Sequence, residues 1–287
     1  MSENSPKEQT FWEHLDELRK VIIRSLAVVA VFAVVAFVFK EQLFNVLLAP
    51  SKSDFATYRF FCFLGQKTYL PLCPESFSAQ LINTQLASQF MIHLSMALWA
   101  GVLVAFPYIV YQVFRFISPA LYQTERKYSG QMIFFAVLLF ALGILLNYFL
   151  IFPLSFRFLA TYQADPSVPN MITLSSYIDT LTMLSLMIGL MTELPIVAWL
   201  LAKIGLLTDK VMRTYRRHII VALMILSAII TPTADVFTLL LVFFPIYFLY
   251  ELSILIVKNV CKKKNLAIQK EQQDWESPYL DIDQKVL

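Results

Sequence analysis

The chain has 287 residues, of which 58% are hydrophobic and 15% charged, with a formal net charge of +3. That balance excludes an ordinary soluble domain, which carries more charge and less apolar area. With 6 glycines and 3 histidines, and no phosphate-binding loop, nucleophile–base pair or metal-ligand spacing, the chain offers no catalytic residues, no cofactor or metal site and no nucleic-acid motif.

The first nine residues, MSENSPKEQ, are polar and mildly acidic. They lack the basic region of an export signal and the arginine bias of a transit peptide, which points to a bacterial or organelle-encoded chain. Thr10 followed by Glu13 is a capping-box pattern, and Phe11, Leu15, Leu18 and Ile22 form one apolar stripe. A cytoplasmic amphipathic helix over residues 1–20 is predicted, lying on the membrane surface and bending into the first span. Its acids, Glu13, Asp16 and Glu17, stand where membrane proteins usually place cations. A solvated face with Lys20 as partner is one account of them; a site for a basic ligand is the other.

Long uncharged runs then set the transmembrane domain, 21–257. A spanning helix needs about 20 apolar residues. Spans are predicted at about 21–39, 88–111, 131–153, 179–202, 217–231 and 236–257. The long loop 40–87 after the first span is predicted to be external. It carries Cys62 and Cys73, which are either two free thiols or a disulfide contributing about 2–3 kcal/mol. In the second span, His93 reads as an interhelical hydrogen-bond donor more readily than as a proton relay. Pro50, Pro107, Pro153 and Pro245 are expected to set kinks and span ends.

The fourth span contains Glu193, an acid costing about 2.5–3.5 kcal/mol at mid-helix and therefore a functional candidate. Pro195 cannot donate to the carbonyl of Met191, so the helix is weakened at the same place. Thr231-Pro232-Thr233-Ala234-Asp235 separates the last two spans, both short. The fifth, at about 15 residues, is roughly 22 Å long. Asp235 would cap the sixth helix or meet a partner. Glu251, near the end of that helix, would snorkel or pair with Lys258. The tail 258–287 is polar and mixed in charge, and is expected to be mostly disordered.

Lysine and arginine decide sidedness. They crowd the loop after span two (Arg115, Arg126, Lys127), the loop after span four (Lys203, Lys210, Arg213, Arg216, Arg217) and the segment after span six (Lys258, Lys262, Lys263, Lys264). Both termini are therefore expected in the cytoplasm. The fold class is an all-α polytopic membrane protein with six transmembrane helices.

Several motifs in order resemble the TatC family, the signal-recognising core subunit of the twin-arginine protein translocase. They are HLDELRK before span one, Ala49-Pro50 after it, and YQVFRFISPALYQTER from Tyr111 to Arg126. Phe152-Pro153-Leu154, Glu193-Leu194-Pro195 and Thr231-Pro232 with Asp235 follow. The resemblance implies a concave bundle in the bacterial inner membrane. It also implies a function without covalent chemistry: binding the twin-arginine signal peptides of folded cargo and forming, with single-span TatA- and TatB-type subunits, an export system driven by the proton motive force. A homo-oligomer within the complex, in contact with membrane lipids, is expected.

By position, Glu17 and Glu125 match the two glutamates that receive the arginine pair, with Leu18, Arg19, Phe116, Tyr122 and Arg126 around them. Guanidinium is planar and binds carboxylate through two hydrogen bonds, which lysine cannot do. Exposed ion pairs give only about 0–1 kcal/mol each, so discrimination requires partial desolvation against aromatics. The resemblance makes Glu193 and Pro195 an intramembrane element facing a water-accessible hollow. It makes Thr231, Pro232, Asp235 and Leu239 partner-helix contacts, and Pro50 structural. Three departures stand out. Val21 replaces a usual basic residue, Leu239 stands where a glutamine is frequent, and residues about 51–78 lie outside the resemblance. The alternative reading is a proton-coupled small-molecule transporter with Glu193 as its carboxylate and His93 in the relay.

Overall fold

The computed structural model describes residues 11–68, 80–117, 129–163, 165, 167, 170–231 and 235–286. The chain divides into two compact units, Met1–Gly189 and Leu190–Leu287.

The first unit opens with α1, Phe11–Val38, a single unbroken helix. The expected bend between an interfacial helix and the first span is absent. No proline or glycine lies between Phe11 and Val38, so nothing stops helix propagation where the sequence turns apolar. The half-buried positions Glu17, Val21, Ser25, Val29, Ala33 and Phe37 recur every fourth residue, and this stripe packs on α4, Ser88–Ile117. The remaining faces expose Leu26, Val31, Val34 and Val38, as hydrocarbon contact requires.

The two helices run antiparallel. His93 stacks on Phe37 with ring centroids 4.1 Å apart, and Gly101 lies against Val29 and Ala33. Ala97, Gly101 and Ala105 are buried at four-residue spacing on α4, the small-residue stripe that lets helix backbones approach closely. His93 is therefore an aromatic packing partner. Among the described residues its buried Nε2 finds no hydrogen-bond partner, so that nitrogen does not fill the donor role expected of the residue. Pro107 sits inside the continuous α4 and marks no span end.

The loop 40–87 is more structured than expected. It folds into α2, Lys40–Leu48, a 3-10 turn Ala49–Ser51, and α3, Ala56–Thr68. Its strand β1, Leu81–Ile82, pairs in parallel with β2, Ile172–Thr173, in the register Leu81↔Ile172. Helix α5, Ser129–Leu146, passes through a π-helical turn, Asn147–Ile151, into α6, Phe152–Thr161. Phe106 of α4 stacks on Phe140 of α5. Gly189 of α7, Leu174–Met191, meets the same ring.

In the second unit α8 covers Leu194–Ile204 and ends at Gly205, whose φ of 87° is the left-handed geometry of a helix C-cap. A short α9, Asp209–Thr214, precedes α10, Arg216–Ile230, and the long α11, Val236–Val286. Pro245 lies within α11 and ends nothing. The helix also continues through the tail expected to be disordered, where lysine and glutamine, both good helix formers, are frequent.

Among the described residues five helical segments are long and apolar enough to cross a membrane: Leu15–Val38, Ser88–Ile117, Gly130–Thr161, Leu174–Ile204 and Val236–Leu266. The remaining predicted span corresponds to α10, of 15 residues.

Candidate functional site

Glu17 heads the α1 stripe that faces α4 and is half-buried, whereas Glu13 and Asp16 are exposed. Extending the antiparallel register set by His93 and Gly101 brings Glu17 level with the last turn of α4. That turn holds the exposed Arg115 and the half-buried Phe116. Leu18 and Arg19 are exposed beside it. Residues 118–128, with Tyr122, Glu125 and Arg126, lie outside the described residues, as do Thr10, Pro232 and Cys73.

A second constellation surrounds Pro50, which is buried. Two prolines leave carbonyls without their ordinary helical donors, and side-chain hydroxyls supply replacements. Pro153 has no N–H to give the carbonyl of Phe149, and Thr57 Oγ1 donates to that oxygen instead. At the end of α2 the carbonyls of Val46, Leu47 and Leu48 accept from Tyr148 (2.6 Å), Tyr177 (2.9 Å) and Ser51 (2.8 Å). The Tyr58 hydroxyl reaches the carbonyls of Pro153 at 3.0 Å and Pro50 at 3.3 Å. Burial pushes the Tyr58 phenol up to about 12, partly offset by the Arg157 guanidinium 6.0 Å above its ring. Phe55, Phe149, Phe152 and Phe156 pack around these hydroxyls. The arrangement fixes the path of α2, α3 and α6 and offers no chemistry of its own.

Glu193 stands between α7 and α8, where the apolar segment is interrupted. The break falls where the proline argument put it: Pro195 is buried at the start of α8. The Glu193 side chain is half-buried, and among the described residues its Oε1 has no hydrogen-bond partner. Its backbone oxygen accepts from Ile196 and Val197, both at 3.0 Å.

Immediately before α11, Asp235 Oδ1 accepts from the Thr238 N–H at 2.7 Å, the cap expected of it. Thr231 is buried and bonds back to the Ser227 carbonyl; Leu239 is half-buried in the first turn of α11. Glu251 pairs with Arg216 at 2.5 Å rather than with Lys258. Tyr247 completes the group, donating to Glu251 at 2.8 Å and accepting from Arg216 at 2.8 Å. Packing of α10 on α11 brings Arg216 beside Tyr247 and Glu251, a proximity that sequence separation conceals.

Cys62 is disulfide-bonded and Cys261 is free. Among the described residues no group of histidine, cysteine and carboxylate side chains could hold a metal ion. The hydroxyl constellation was missed by sequence reasoning. Its only local signal was the pair of prolines, which mark deprived carbonyls without naming the donors.

The family model described as Sec-independent protein translocase protein (TatC) matches residues 13–245. The protein of that name from Blattabacterium sp. subsp. Periplaneta americana is 35% identical over 265 residues, covering 91% of this chain and 99% of the relative. That from Deinococcus radiodurans is 34% identical over 267 residues, covering 93% and 90%. A crystal structure of the twin arginine translocase receptor TatC superimposes with a TM-score of 0.70 at 32% identity, covering 87% of this chain and all of that one. The chain belongs to the TatC family of Sec-independent protein translocase proteins.

Proposed function

We propose that this chain is the signal-binding subunit of a twin-arginine translocase, with Glu17 and Glu125 as acceptors for the paired arginines. The observation that carries the reading is the position of Glu17. It is the half-buried acid of the α1 surface segment, on the stripe facing α4 and level with the turn that leads towards Glu125. Partial burial is what arginine selectivity needs, since a fully solvated carboxylate discriminates poorly between guanidinium and ammonium. Phe116, in the same turn of α4, supplies aromatic cover.

The reading includes six spans, with α10 as the short fifth one, and both termini in the cytoplasm, where the basic loops lie. It includes the inner membrane as the site of action and single-span TatA- and TatB-type subunits as partners. Glu193, with one carboxylate oxygen unpartnered, serves as a polar contact for the signal or a partner helix. Thr231, Pro232, Asp235 and Leu239 serve as a further partner surface. Family membership favours this reading over a proton-coupled transporter.

Binding of a twin-arginine peptide and its twin-lysine counterpart to the purified protein in nanodiscs tests it. Arginine-selective binding that falls at least about tenfold, or 1.4 kcal/mol, in both Glu17→Ala and Glu125→Ala is expected. Equal binding of the two peptides, or indifference to both substitutions, overturns it.

A further inference from the structure

The segment 205–217, which joins α8 to α10 and takes in the first two residues of α10, presents two kinds of exposed side chain. Leu206, Val211 and Tyr215 are 75%, 44% and 54% exposed. Interleaved with them, Lys210, Arg213 and Arg217 are exposed cations, and among the described residues none has a carboxylate partner. Arg216 is different, being engaged by Glu251 and Tyr247. Asp209, half-buried in the first turn of α9, is the only acid of the segment.

The backbone of the segment is fixed. Gly205 closes α8, and Thr208 caps α9 by accepting from the Val211 N–H. Met212 is buried, and its carbonyl accepts from the Tyr250 hydroxyl of α11 at 2.8 Å. One side of α9 is therefore held against α11, and the other is left with both apolar and cationic groups. Lys264 of α11 also reaches the start of the segment: its Nζ lies 3.3 Å from where a Cβ on Gly205 would be.

Exposed leucine, valine and tyrosine between two apolar helices are unfavourable in water but suited to the boundary between acyl chains and headgroups, where tyrosine concentrates. Cations interleaved with such residues meet phosphate at that depth. A soluble acidic partner would satisfy the cations and leave Leu206 and Val211 unexplained; a lipid satisfies both.

We propose that residues 205–217 form a binding site for the headgroup of an anionic phospholipid. In it Leu206, Val211 and Tyr215 enter the acyl–headgroup boundary, and Lys210, Arg213 and Arg217 take the phosphate oxygens. The inference does not depend on which leaflet the segment faces, nor on signal recognition.

The test uses the full chain in detergent, with bound lipid read by native mass spectrometry and stability by thermal unfolding. The probes are phosphatidylglycerol, phosphatidylcholine of the same acyl chains, and inorganic phosphate. Phosphatidylglycerol is expected to bind and raise the melting temperature, and the other two are expected not to. Combined Lys210→Gln, Arg213→Gln and Arg217→Gln should weaken that binding at least about tenfold, and Leu206→Ser with Val211→Ser should weaken it as well. Combined Lys258→Gln, Lys262→Gln and Lys263→Gln removes the same charge elsewhere on the unit and should leave binding intact. Should the triple variant of the segment fail to fold, Arg213→Gln and Arg217→Gln are measured singly, each with a loss of about threefold expected. Equal binding of the two lipids, an effect reproduced by inorganic phosphate, or equal losses in the two triple variants would overturn the proposal.

Discussion

A Cβ placed on Gly101 would lie 2.7 Å from the backbone nitrogen of Ala33 and 2.8 Å from the Val29 carbonyl oxygen. Both neighbours are backbone and cannot rotate away. Alanine gains about 0.5–1 kcal/mol over glycine in a helix, but overpacking a tight contact costs about 1–3 kcal/mol, so the steric cost wins. Gly101→Ala is expected to lower the melting temperature of the purified protein by a few degrees, and Gly101→Val by more. Gly130 is the control, because a Cβ there meets nothing within 4 Å among the described residues. Gly130→Ala should be neutral or slightly stabilising. A stable Gly101→Val protein would show that α1 and α4 can part without cost.

Removal of the Thr57 hydroxyl is expected to be costly for its size. Thr57→Val keeps the shape and leaves the Phe149 carbonyl without the donor that replaces Pro153. An unsatisfied buried acceptor costs about 1–3 kcal/mol. Thr57→Ser keeps the hydroxyl and should lie near wild type in thermal unfolding. Equal losses in the two variants would point to the methyl group instead of the hydrogen bond.

These two contacts mark how far the sequence could be read. Helix positions were legible because charge-free runs of span length are a local property, and the break at Glu193 was legible because a proline's missing N–H acts on its own helix. The contact between Tyr177 and Leu47 joins residues 130 apart, and no local pattern encodes it. The continuity of α1 was misread because a change from polar to apolar looked like a bend, although nothing in Phe11–Val38 breaks a helix. Likewise, residues 40–87 looked like a loop because their helices are too short and mixed to resemble spans. Glu17 stands out as a candidate only through the motif it belongs to; its half-burial follows from the α1–α4 packing and could not be read from the stretch alone.

Tyr58 gives a pH dependence with a defined sign. An unperturbed phenol titrates near 10, and burial raises that of Tyr58 to about 12. The folded protein therefore holds this proton more tightly than the unfolded chain. The resulting stabilisation is complete below about pH 10 and is lost as pH rises towards 12. Thermal unfolding of wild type and Tyr58→Phe between about pH 9 and 12 should converge, with the variant lower at pH 9 and flatter above pH 10. Parallel curves would mean that Tyr58 titrates normally.

The Arg216–Glu251 pair should contribute little despite its short distance. The two side chains are 49% and 33% exposed, and exposed pairs are worth about 0–1 kcal/mol. A double-mutant cycle with Arg216→Gln and Glu251→Gln should return a coupling below about 1 kcal/mol that shrinks as salt is added. A larger, salt-insensitive coupling would show that Tyr247 and the surrounding helices exclude water from the pair.

Asp235 separates a capping role from a docking role. Its Oδ1 accepts from the Thr238 N–H at the first turn of α11, while its other oxygen is buried without a partner among the described residues. Loss of a helix N-cap costs about 0.5–2 kcal/mol, and asparagine caps as well as aspartate. Asp235→Ala should therefore lower the melting temperature and Asp235→Asn should not. If the unpartnered oxygen meets a partner helix as a charged group, Asp235→Asn will instead retain stability and lose export of a twin-arginine cargo. Measuring both variants for stability and export assigns the residue: stable, export-competent Asp235→Asn leaves a cap alone, and stable, export-defective Asp235→Asn adds the contact.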